Sequence, residues 1–223
     1  MKPVIESVRP EAPAPPGEPR SGGRVFLDSP ASLGVALLVA AGFLSTAEEG
    51  PLPALAWAAA FLFLAVESDV RRLRIPNWLT FPAFFGALAI GFASAGPAGL
   101  GRATAGGAVA FGVLLVPYAL GWLGAGDVKA AMVLGALFGR EAFLPMFFWM
   151  VLVGGCLAIA LVVAKGGLGD LLRRWLESAK HSVLLRRPTY FGPAPGSPAA
   201  AGLPFALAMG LGATVYQILG APF

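Results

Sequence analysis

Charge is what this chain has least of. Of its 223 residues only 13% are Asp, Glu, Lys or Arg, against about 25% in a soluble domain, while 57% are hydrophobic and the mean hydropathy is +0.76. That balance excludes an ordinary soluble domain and describes an integral membrane protein. Cysteine is nearly missing as well. Cys156 stands alone within an apolar run, which excludes an internal disulfide and a multi-thiolate metal site, and it reads as an inert core residue. His181 is the single histidine; with no partners at ligand spacing it reads as a surface residue, and neither a metal nor a cofactor is expected. The net charge is +4, but the chain has no basic stripe interleaved with stacking aromatics, so nucleic acid is not expected as a partner.

What the chain does have is long apolar runs. Residues 1–29 are rich in Pro, Ala, Gly and charge, a composition that buries too little apolar area to offset chain entropy, and they read as a disordered tail. The tail lacks the layout of a cleaved secretory signal, so the first apolar run is expected to be retained. Apolar runs follow at 30–47, 51–68, 78–98, 103–123, 128–139, 142–164 and 199–219. Lipid leaves no water to satisfy backbone amides, and the runs are too long and continuous for barrel strands. The expected fold is therefore all-α, a polytopic helix bundle.

Orientation follows from the cations. The tail, the loop after the second run, Lys129 and the stretch 165–198 together hold every Lys and Arg except Arg102 and Arg140. Placing them all in the cytoplasm requires about seven spans with a cytoplasmic N-terminus, and the short run 128–139 must then cross, with a thinned bilayer or extra protein cover. Within 165–198, Leu168, Leu171, Leu172, Trp175, Leu176 and Val183 fall broadly on one helical face and Arg173, Arg174, Glu177, Lys180 and His181 largely on the other. This reads as an interfacial helix on the inner leaflet, with a solvated linker helix as the plainer alternative.

Two acids stand at equal depth in that topology. Asp69 ends the second run in FLFLAVESDVRRLRIPNWLT, and Asp127 lies in GAGDVKAA between the fourth and fifth. If their helices pack together, with Gly124 and Gly126 permitting close approach, the two carboxylates share a site where both cannot be comfortably ionised. One can then take a proton from water while the other protonates a carbonyl, the chemistry of an aspartic protease. Each acid taken alone is better explained as a helix cap or an interfacial ion pair, and Glu67 is a competing acid on the same segment.

The segment SDVRRLRIPNWLT (68–80), followed by GAGDVKAA (124–131), resembles the two signature regions of the type IV prepilin peptidases, membrane aspartic proteases with a Gly-x-Gly-Asp motif. GLPFALAMG (202–210) is similar to that family's final helix. The resemblance implies that Asp69 and Asp127 are the catalytic pair, that Ile75, Pro76 and Asn77 shape the loop beside the first, that Gly124 and Gly126 give close packing at the second, and that Lys129 is a supporting charge. It divides the chain into the tail 1–29, an extra N-terminal span at 30–50 and a peptidase-like membrane domain at 51–223.

The larger family members carry a zinc-binding insert with paired Cys-x-x-Cys motifs, associated with methylation of the mature pilin. One cysteine cannot supply it, so the resemblance is to the small forms that serve tight-adherence (Flp) pili, with peptidase but not methyltransferase activity. The implied substrate is a prepilin or pseudopilin with a short basic leader, cut at the cytoplasmic face of the plasma (inner) membrane. Membrane lipid is an expected partner, to which the basic loops would attract anionic headgroups, and Glu67 is a candidate leader contact. The oligomeric state is left open. A non-enzymatic scaffold or small transporter with structural acids is the alternative, against which stands the lack of acids at mid-span.

Overall fold

In a computed structural model, residues 29–46, 52–164, 166–185 and 203–222 are described. Of the expected tail 1–29 all but Ser29 lies outside them, as do residue 165 and the part of the 165–198 loop beyond 185. All regular structure among the described residues is helical: α1 (Ser29–Thr46), α2 (Leu52–Arg72), α3 (Asn77–Ala119), α4 (Ala125–Ala164), α5 (Leu168–Leu185) and α6 (Phe205–Leu219). By length and composition α2, α3 and α4 could each cross a membrane, and α1 and α6 are shorter apolar helices.

Two of these helices are too long to be straight. At about 1.5 Å per residue the 43 residues of α3 would reach about 65 Å, roughly twice a bilayer core. It is broken instead at Ala95 and Gly96, and Gly96 takes the left-handed φ of 58° that glycine adopts without strain. The limbs fold back on one another: a Cβ on Gly91 would lie 2.9 Å from that of Ala103, and Gly107 of the second limb faces Phe84 of the first. In α4 the break is Gly139, at φ 77° and ψ 170°.

The short first limb of α4 is the centre of the bundle. Val128, Ala130, Ala131, Val133, Leu134, Gly135 and Ala136 are all buried, on every side of the helix rather than along one stripe. It runs against the second limb of α3, where a Cβ at Gly106 would strike the backbone of Gly135 and Gly139, and one at Gly135 would strike Gly106. Bare backbones here bring the two helices closer than any side chain would allow. The second limb of α4 packs on α6 through Gly154 against Ala208 and Gly212 against Met150.

One expectation fails at Cys156. It lies on α4 and is exposed, not part of the core. Its neighbours in the run are apolar whichever way they face, so hydropathy could not tell a protein-facing position from an outward one.

Candidate active site

The site is assembled where α2 ends and α3 and α4 begin. Helix α2 stops through Leu73, whose backbone takes the left-handed φ of 51° while its N–H donates to the Asp69 carbonyl at 2.7 Å. A branched aliphatic residue in that region is costly, on the order of 1 kcal/mol, and here it turns the chain sharply. The Ser68 hydroxyl then closes the turn by donating to the Arg74 carbonyl at 2.8 Å. Ile75 is buried, and Pro76, at φ −75° and ψ 150°, caps α3, which starts at Asn77.

Asp69 sits in the last turn of α2 and is only 4% exposed. Its Oδ2 accepts a hydrogen bond of 2.8 Å from the backbone N–H of Ala206, in the first turn of α6. The cap of α6, Pro204, makes no side-chain capping bond, so a carboxylate from another helix satisfies one of its free amides.

Asp127 lies in the first turn of α4, half-buried, and its Oδ2 accepts from the N–H of Gly124 at 3.0 Å. This is one half of a capping box, so the cap reading of Asp127 has a real hydrogen bond behind it. The position is set by Gly126: a Cβ there would lie 3.0 Å from the Ile75 carbonyl oxygen and 3.3 Å from the Ile75 Cβ. Gly124 differs, since its nearest neighbour is the Asp127 carboxylate itself, 3.2 Å from where a Cβ would be.

Asp127 is close enough for its charge to act on Asp69. A cleft of about 570 Å³ opens beside Asp127, lined among others by Ser68, Arg72, Arg74, Ile75, Asp127 and Lys129. Asp127 is part of the lining and Asp69 is not. The Lys129 ammonium donates to Asn77 Oδ1 at 2.8 Å and stands 5.2 Å from the centre of the Phe81 ring. Of the residues singled out in the sequence, Ile75, Pro76, Asn77, Gly124, Gly126 and Lys129 therefore meet Asp127 around one cleft. Glu67 is engaged elsewhere, in an ion pair of 2.7 Å with Arg71.

Sequence reasoning missed two features. Arg72 and Arg74 line the cleft, although as neighbours of the first signature they were in plain sight. The amide of Ala206 had no sequence signal, because a backbone donor is common to nearly every residue. Among the described residues no cluster of His, Cys, Asp and Glu could hold a metal ion.

Two helices that begin more than fifty residues apart thus bring a buried acid within electrostatic reach of one that lines a cleft. No curated protein and no solved structure matches the chain. A family model does, over residues 56–159, a region that contains both acids and the whole loop between α2 and α3. Over that region the chain is similar to the type IV leader peptidase family.

Proposed function

We propose that the chain is a membrane-embedded aspartic endopeptidase that removes the short basic leader of prepilin or pseudopilin substrates, with Asp69 and Asp127 as its catalytic pair. The observation that carries this reading is that the buried acid at the end of α2 lies within electrostatic reach of the acid that lines the cleft at the start of α4. A water held between them loses a proton to one carboxylate as its oxygen bonds to the scissile carbonyl carbon. The other, protonated, gives its proton to the carbonyl oxygen. Collapse of the tetrahedral intermediate then breaks the C–N bond, and the leaving amine takes up a proton from the pair. Ile75, Pro76 and Asn77 hold the loop, Gly126 brings α4 against it, and Lys129 ties the two together. A single cysteine favours peptidase activity without methyltransferase activity, as in the small forms.

The same reading places the cleft at the cytoplasmic face of the plasma membrane, in a bundle of seven spans: α1, α2, two limbs each of α3 and α4, and α6. Its support is the direction of the helices. Val39 faces Gly210 and Gly42 faces Thr214, so α1 and α6 run parallel, as the first and last of an odd number of spans would. Arg102 and Arg140, the two cations left over by charge counting, line a separate cavity of about 280 Å³ with Glu141. Helix α5 follows the last limb of α4 and leaves Leu172, Trp175 and Leu176 exposed, a face suited to the lipid boundary, with Lys180 available to anionic headgroups and Arg173 paired with Glu177.

The test is cleavage of a co-expressed prepilin by the wild type, Asp69→Asn and Asp127→Asn. Asparagine can still accept the Ala206 and Gly124 hydrogen bonds, so each change keeps the cap and removes the proton chemistry. Loss of cleavage in both, with folding intact, is expected; full activity in either would end the diacid mechanism.

A further inference from the structure

Helix α1 lies outside the matched region 56–159, and the proposed chemistry gives it no task. Yet it is not a loose addition. Ser32, Ala36, Val39, Ala40 and Phe43 are all buried, spaced along one helical face. At one end of that face the fully buried Phe43 meets Phe138 edge to face, with ring centres 6.0 Å apart, just before the Gly139 break of α4.

In the middle, Val39 enters a notch in α6. Gly210 has no side chain, and a Cβ there would collide with Val39 Cγ1; the same position is 3.7 Å from Val66 Cγ2 on α2. Gly210 is therefore where α1, α2 and α6 meet. The place matters because Gly210 follows Ala206 by one helical turn and Val66 precedes Asp69 by nearly one. The three-helix contact is thus one turn away from the hydrogen bond between Ala206 and Asp69. Such a bond weakens steeply when distance or angle changes, so the depth and rotation of α6 decide whether it forms. The α6 cap contributes no side-chain bond of its own to hold that geometry.

We infer that Val39 is a positioning residue for Asp69: by filling the notch at Gly210 it seats α6 so that the Ala206 amide fixes the Asp69 carboxylate. The inference rests on the reading of Asp69 as one of the two reacting acids. It makes α1 part of the catalytic core, acting through α6 and touching no substrate.

Two readouts on the full chain in lipid discs separate this inference from the protease reading. One is hydrogen exchange of the Ala206 amide, which needs no substrate, and the other is kcat and KM for a prepilin. Gly210→Ala should push α6 off Val39, speeding Ala206 exchange at least tenfold and lowering kcat at least tenfold with KM within twofold. Val39→Ala in the same chain removes the colliding methyl and should bring both readouts back to within threefold of wild type.

A folded Gly210→Ala protein with unchanged Ala206 exchange overturns the inference, even if Asp69→Asn abolishes cleavage. If exchange follows the expected pattern while the wild type cuts no prepilin, the seating of Asp69 stands and the protease reading falls. Should Gly210→Ala not fold, the double variant decides: wild-type exchange supports the notch, and an unfolded or fast-exchanging double variant overturns it.

Discussion

Lys129, two residues beyond Asp127, reaches across the cleft to donate a hydrogen bond of 2.8 Å to Asn77 Oδ1. The contact joins the start of α4 to the start of α3, and the Phe81 ring beneath the ammonium adds a cation–π attraction. Lys129 is therefore better described as a tie between two signature segments than as a free charge beside the acids.

The tie predicts non-additivity. Removing it by Lys129→Met or by Asn77→Ala should cost about 0.5–1.5 kcal/mol, a roughly 2- to 13-fold loss in kcat/KM. The double variant should be little worse than either single one, as a double-mutant cycle on prepilin cleavage will show. Fully additive losses would mean that the two side chains act separately.

Gly124 and Gly126 should respond differently to alanine. At Gly126 the new methyl meets the Ile75 carbonyl, a backbone atom that cannot turn aside, so thermal stability in detergent should fall by about 1–3 kcal/mol together with activity. At Gly124 it meets only the Asp127 carboxylate. Activity should then drop several-fold while the melting temperature stays close to wild type.

The centre of the bundle is less tolerant. Gly106 and Gly135 approach through their backbones, so Gly135→Leu leaves no path for the side chain except separation of α3 from α4. Loss of the folded peak in size-exclusion chromatography is the expected result. A folded Gly135→Leu protein would show that the close approach is dispensable.

Helix α5 offers an optical test. Trp175 is 68% exposed to its surroundings. If that surface is the lipid boundary, brominated lipids should quench part of the tryptophan emission, and Trp175→Phe should remove that part. Quenching unchanged by the substitution would place α5 in water, as a solvated linker.

Much of this protein is legible without coordinates because hydropathy is a local property. The apolar runs mark where helices lie, and the positions of α2, both limbs of α3 and both limbs of α4 follow them closely. The breaks fall at Ala95–Gly96 and Gly139, where glycine accepts left-handed backbone. The two acids were also identifiable, since so few charges stand in the chain that each one asks for an explanation.

Pairing was not legible to the same degree. Cys156 could be assigned to the core because apolar residues face protein and lipid alike, and only packing shows that it faces outward. Glu67 looked as available as Asp69, two residues away, until Arg71 was found on its carboxylate.

The sequence by itself determined an all-helical membrane chain, the family signatures and the two acids, because residue types and their spacing carry that information directly. Only the tertiary structure decided what holds Asp69. Its partner is the backbone amide of Ala206, 137 residues away, brought there by a helix whose seat is a missing side chain at Gly210. A backbone donor has no letter of its own, and an empty notch has meaning only through the valine that fills it.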